Sequence, residues 1–209
     1  LSVAGAVMQN DFRNPLADPY TMGISSGAFL GAVLSIVLGI SIVPFIPESL
    51  STVGNAFIFS LFPIAIILAV SRFKKLTPVA LILVGIAVMY LFSSVCQVIM
   101  VTSPSESLAE AYSWRVGSFS SIRWGSLPIM LAVSIVCIAA IWLLSGRMNV
   151  MYAGDRAAQT MGEDPRRIRM VTLVLASLMT ASIVSYTGTI GFIGLVGPHV
   201  ARLFVGSAN

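Results

Sequence analysis

The sequence predicts an all-α protein that crosses a membrane several times, and three observations carry that prediction. Hydrophobic residues fill 57% of the 209 positions and charged residues only 10%, against roughly a quarter charged in a soluble domain. The mean hydropathy is +0.95. The 12 basic and 8 acidic residues are also clustered, leaving uncharged runs at 19–47, 49–71, 76–105, 124–146 and 170–201. Each run exceeds the ~20 residues that a spanning helix needs, and a soluble core gives no reason for so many.

Turn signals and charges divide the chain into a partial helix at 1–9 and spans near 23–45, 51–71, 78–101, 127–145, 168–187 and 190–205. The run 170–201 is too long for one helix, and Gly188 breaks it. The chain opens inside an apolar stretch, Leu1 to Met8, and stops after Gly206–Asn209, so it reads as a piece truncated at both ends. Cys96 and Cys137 both fall within apolar runs, where a thiol acts as a small hydrophobe.

Alternating sides along this order puts 10–22, 72–77, 146–167 and 202–209 together, with 46–50 and 102–126 opposite. The first side collects Arg13, Arg72, Lys74, Lys75, Arg147, Arg156, Arg166, Arg167, Arg169 and Arg202, and the second only Arg115 and Arg123. Positive residues concentrate in cytoplasmic loops, so the first side is expected in the cytoplasm. The net charge of +4 then reflects topology, with no nucleic acid implied.

In the span 23–45, Gly23, Gly27, Gly31, Ser35 and Gly39 recur every four residues. Such a stripe lets another helix approach closely in lipid or lines a pore. Ser177, Ala181 and Ser185 form a weaker row in 168–187. No charged residue is expected deep in a span, where ion-coupled transporters commonly hold one. His199 lies near a span end, and no nucleophile with a base, metal-ligand cluster or phosphate-binding loop is recognisable. Catalytic and metal-site residues are therefore not assigned, and any nucleotide chemistry is expected on another chain.

In 146–167, Asp155 suits the N-cap of a short helix through Arg156–Met161, Gly162 suits its left-handed C-terminus, and Asp164 with Pro165 suits the start of the next helix. A helix this short is unstable alone. It is either an ordinary capped turn or a docking element for a cytoplasmic partner. In 102–126, Ser103 and Glu106 fit a capping box with Pro104 at the first helical position. Tyr112, Trp114 and Trp124 suit a membrane interface.

Several longer motifs resemble one family. Arg13-Asn14-Pro15-Leu16-Ala17-Asp18-Pro19 followed by Gly23-Ile24-Ser25-Ser26-Gly27-Ala28, then Trp114, Gly117, Ser118 and Trp124, then Gly188 through Arg202 with its Pro198-His199 pair, occur in this order. They resemble FecCD-type permeases, the membrane subunits of ATP-binding cassette (ABC) importers for iron-siderophore, haem and cobalamin-type chelates. The resemblance implies an ABC importer permease helical bundle over 1–209, with about six spans and a partial one of the family's roughly ten.

The resemblance further implies a homodimer of permeases, separate ATPase subunits carrying ATP and Mg, and an extracytoplasmic substrate-binding protein, with no cofactor on this chain. The segment from Gly154 to Gly162 resembles the family's coupling loop, which assigns ATPase contact to Gly154, Asp155, Ala157, Ala158 and Gly162. Arg115 and Arg123 become candidates for binding-protein contact. The span 78–101 resembles the family's path-lining helix, and its polar residues Ser93, Ser94 and Gln97 become path candidates, the other reading being hydrogen bonds that hold the bundle together. The rivals to an ABC permease are an ion-coupled secondary transporter and a membrane-embedded enzyme or structural bundle.

Overall fold

The computed structural model describes residues 1–42, 47–73, 77–120 and 122–206. Nine helices lie among them: α1 (Ser2–Phe12), α2 (Ile24–Ile36), α3 (Glu48–Phe73), α4 (Pro78–Val101), α5 (Ser105–Val116), α6 (Leu127–Tyr152), α7 (Asp155–Thr160), α8 (Pro165–Thr187) and α9 (Ile193–Val205). Four of them, α3, α4, α6 and α8, are long and apolar enough to cross a membrane. α4 has the expected bounds, because Thr77 accepts a hydrogen bond from the Ala80 N–H at 3.3 Å and Pro78 follows at the first helical position. α6 overruns its expected end by seven residues. At 1.5 Å per residue it is about 39 Å long, more than a bilayer core requires, so its last turns carry α7 beyond the span.

α8 is the central helix, with 67% of its apolar window buried inside the protein against 17% for α6 and 22% for α4. It can be central because, beyond Arg169 and Thr172 at its start, its buried polar residues are small and satisfied within the helix. The Ser177 hydroxyl donates to the Leu173 carbonyl at 2.7 Å and that of Thr180 to Ala176 at 2.8 Å, so no hydroxyl is left unpaired in the apolar core. Met8, Met22, Ile67, Met151, Leu173 and Met179 fill the space between α8 and its neighbours α1, α3 and α6. The peripheral helices α4 and α6 expose Leu83, Leu91, Val98, Ile135, Trp142 and Leu143, which suit lipid or a second membrane chain.

α2 corrects the reading of 23–45 as a full span. Its 13 residues measure about 20 Å, two-thirds of a bilayer core. Gly23 lies against Pro63 and Met89, each near the middle of a long helix, whereas Ser35 hydrogen-bonds Ser51 and Thr52 at the start of α3. The helix therefore begins at mid-depth and runs only toward the end opposite Phe73. Along it the stripe packs tightly: a Cβ on Gly31 would lie 2.3 Å from the Asn55 carbonyl oxygen. Gly39, expected to continue the row, falls beyond the end of α2 and has open space around it.

The segment before α2 is likewise not a simple surface loop. α1 continues to Phe12, burying Gln9, Asn10 and Asp11, and 13–22 then turns back into the bundle, where Asp18 and Pro19 meet Gly194 beside Gly5. Non-helical backbone at that depth is tolerated only where protein or a cavity surrounds it. Asp18 meets the requirement locally: its carboxylate accepts from the Thr21 N–H at 2.8 Å, and the Thr21 hydroxyl donates to its carbonyl at 2.9 Å. Asp11 and Asp18, which the sequence places in the connection 10–22 between spans, are thus both buried inside the bundle. The expected capping box is absent, since Pro104 is itself the N-cap of α5 and the Ser103 hydroxyl donates to Ile99 at 2.8 Å.

Candidate functional sites at the two ends of the bundle

The basic end gathers the ends of α1, α3, α6 and the start of α8 around α7. α7 spans six residues between Gly154 and Gly162, both at positive φ (113° and 84°). At Gly162 this left-handed backbone closes the helix, its N–H donating to Gln159 at 3.0 Å. Asp164 caps α8 through the N–H groups of Arg166 and Arg167 at 3.1 and 3.4 Å. The expected N-cap role of Asp155 is replaced by another: Gly154 is the N-cap, and Asp155 is the first residue of the helix. Its carboxylate turns inward to Arg169, 3.0 Å away, and to Arg13 at 3.4 Å.

The face of α7 differs from the one expected. Ala158 is fully buried against the core, Ala157 is half-buried, and Arg156, Gln159, Thr160 and Met161 are exposed. Two alanines in sequence suggested a close-fitting surface, but six residues allow fewer than two turns, and one alanine must face the bundle that holds the helix. The charged Arg156 and the exposed Met161 are the features that sequence reasoning passed over.

At the other end, Ser93, Ser94 and Gln97 of α4 line a cavity of about 340 Å³ together with Tyr20, Ser25, Ser26, Phe29, Tyr90, Thr189 and Arg115. The side chains of Ser94 and Gln97 form no hydrogen bond with another described residue. Arg115 reaches the cavity because the chain around it is tied down on both sides. Its guanidinium lies over the Phe29 ring, its carbonyl accepts from the Thr189 hydroxyl, and the Thr187 carbonyl accepts from the Ser118 N–H at 2.7 Å. Arg123 is exposed and does not line this cavity, while Trp114 stacks on Phe29 at 6.2 Å instead of standing free at an interface. Tyr112 and Trp124 remain exposed. Ser25 and Ser26 join the cavity because α2 starts at mid-depth, which hydropathy alone does not reveal.

A membrane bundle with a polar cavity at one end and a short, exposed helix at the other can admit a solute and contact a soluble partner. The FecCD transport family matches residues 1–209. The chain belongs to this family. It is similar to the cobalamin import system permease protein BtuC of Halobacterium salinarum, at 38% identity over 99% of this chain and 54% of the relative. It is similar also to the hemin transport system permease protein HmuU of Yersinia pestis, at 36% identity over 99% and 62%. A solved inward-facing ABC transporter of the metal-chelate type superposes with a TM-score of 0.87 at 30% identity, covering all of this chain and 65% of the other. The chain thus spans a little over half to two-thirds of the length of these proteins. As a FecCD chain with four apolar spanning helices it is a multi-pass protein of the cytoplasmic membrane.

Proposed function

We propose that this FecCD chain is the greater part of a permease subunit of an ABC importer, moving an iron-siderophore, haem or cobalamin-type chelate into the cell. The observation that carries the reading is similarity along 99% of the chain to permeases named for cobalamin and hemin. On this reading two permease copies pair, and an extracytoplasmic binding protein delivers the chelate. ATPase subunits carrying ATP and Mg dock on the basic, cytoplasmic end. The segment 146–167 contains the docking element, with Arg156, Gln159 and Met161 forming its outward face beside Gly154, Asp155, Ala157 and Gly162.

The cavity lined by Ser93, Ser94, Gln97 and Arg115 is part of the translocation path. Its hydroxyls and amide supply weak, replaceable hydrogen bonds, which suits a site that must release what it admits. Arg123, exposed on the same side as Arg115, is available to the binding protein.

Uptake by the full-length protein with its ATPase tests the reading. It is expected to stop when ATP is depleted and to continue when the proton gradient is collapsed. The reverse result establishes the ion-coupled alternative, for which buried Asp18 would be the first residue to examine.

A further inference from the structure

We propose that Arg169 is a positioning residue that transmits movement of α7 into the transmembrane core, a role that rests on the ATPase-docking reading of α7. Its side chain is only 8% exposed. Nε–H donates to the Asp11 carbonyl at 2.8 Å, while Nη1 and Nη2 donate to the two Asp155 carboxylate oxygens at 3.4 and 3.0 Å. One rigid guanidinium on α8 therefore holds both the last turn of α1 and the first residue of α7. Asp11 strengthens the joint, since its own carboxylate accepts from the Thr172 hydroxyl at 2.6 Å, one turn along α8 from Arg169.

The other polar ties near α7 are weaker. Arg13 meets Asp155 at 3.4 Å with both side chains well exposed, and Arg147 meets Glu163 at 3.6 Å with the arginine largely in solvent. Exposed pairs of this kind add little. Arg169 is buried on its own side of the contact and forked onto the carboxylate, and a planar guanidinium holds such geometry where a lysine ammonium does not. A six-residue helix has no stiffness of its own. A push on α7 accordingly reaches α1 and α8 together through Asp155 and Arg169, and α8 is the most buried of the spanning helices.

The test uses the full-length protein with its ATPase in nanodiscs, carrying S94C with Cys96 and Cys137 replaced by alanine. The rate at which a polar maleimide labels position 94 is measured with and without ATP plus vanadate. R169K is expected to retain the ATPase and the melting temperature, yet to shrink the nucleotide-dependent rate ratio about five-fold or more, the range of a typical coupling energy. D155N, whose residue belongs to the docking element, is read by the same ratio only in complexes isolated with the ATPase bound. The double variant should be no worse than the more affected single one.

D155N changes a partly exposed carboxylate and keeps the test alive if R169K folds poorly. A purely structural role would lower yield or melting temperature and leave the ratio of the surviving complex unchanged, and an unchanged ratio in both variants overturns the proposal. Failure of the unsubstituted protein to hold the ATPase, or to respond to nucleotide, overturns the transport reading itself and this inference with it.

Discussion

The Arg115 guanidinium lies 5.2 Å from the centre of the Phe29 ring, joining the exposed helix α5 to the buried face of α2. Phe29 is 5% exposed and also stacks on Trp114. Replacing it with alanine should destabilise the protein by about 3 kcal/mol or more, as for other buried aromatics. Leucine, which keeps most of the volume, should lose roughly 1 kcal/mol, the contribution of the ring and cation contacts. Denaturant-dependent unfolding in detergent separates the two, and an unchanged stability in the leucine variant would show that packing volume alone holds α5.

A Cβ on Gly31 would stand 2.3 Å from the Asn55 carbonyl oxygen, which belongs to backbone that cannot rotate away. Gly31→Ala should therefore cost about 1–3 kcal/mol through overpacking. Gly146→Ala, in α6 with open space around it, should be neutral or stabilising by up to about 1 kcal/mol from helix propensity. Melting temperatures of the two variants check the contrast, and similar values would remove the close-packing account of α2.

The distribution of basic residues orients the bundle, and introduced cysteines read the orientation directly. Cysteines at Asp155 and at Lys74, which lies outside the described residues, should react with an impermeant reagent only after the membrane is opened. One at Glu106 on α5 should react from outside. Reaction of position 155 from outside would reverse the assignment.

Gly162→Val should weaken coupling to the ATPase, because a β-branched residue at φ 84° is strained by about 1 kcal/mol or more. Met161→Glu and Arg156→Glu should reduce ATPase association without changing stability, as both side chains are exposed. Ala158→Leu should instead destabilise the fold by about 1–3 kcal/mol, since that side faces the core. Crosslinking yield to the ATPase and melting temperature together distinguish docking from packing. Wild-type crosslinking in all these variants would exclude α7 as the docking element.

Ser94→Trp and Gln97→Trp should slow uptake while leaving ATPase assembly intact, because both residues line the cavity of about 340 Å³ and an indole would fill much of it. Cysteines at the two positions should be protected from small polar reagents when the binding protein docks. Undiminished uptake in the doubly substituted protein would show that the solute passes elsewhere.

How much could be read without coordinates varied with the physical signal. The bounds of α4 were legible because an uncharged run is bracketed by Thr77-Pro78 and by polar residues after Val101, and each helix end has a local chemical cause. Gly162 and Asp164 were legible for the same reason, since caps depend on neighbours a few residues away. The run 19–47 was not. Hydropathy averages over side chains and does not distinguish a full span from a half-length helix entered by irregular backbone inside the bundle, and Asp18 with Thr21 becomes recognisable as a satisfied buried turn only once α1 and α9 surround it.

Composition and charge pattern by themselves determined the membrane class and the division of basic residues between two ends, because burial in lipid acts on each segment independently. Tertiary structure decided which polar groups meet. Asp155 could have capped α7 or paired with a distant cation, and either choice would satisfy its carboxylate. The choice fell to Arg169, 14 residues away on α8 and braced by the Asp11 carbonyl. A contact that requires three helices to converge has no periodicity or local spacing to announce it, so only their packing could bring it about.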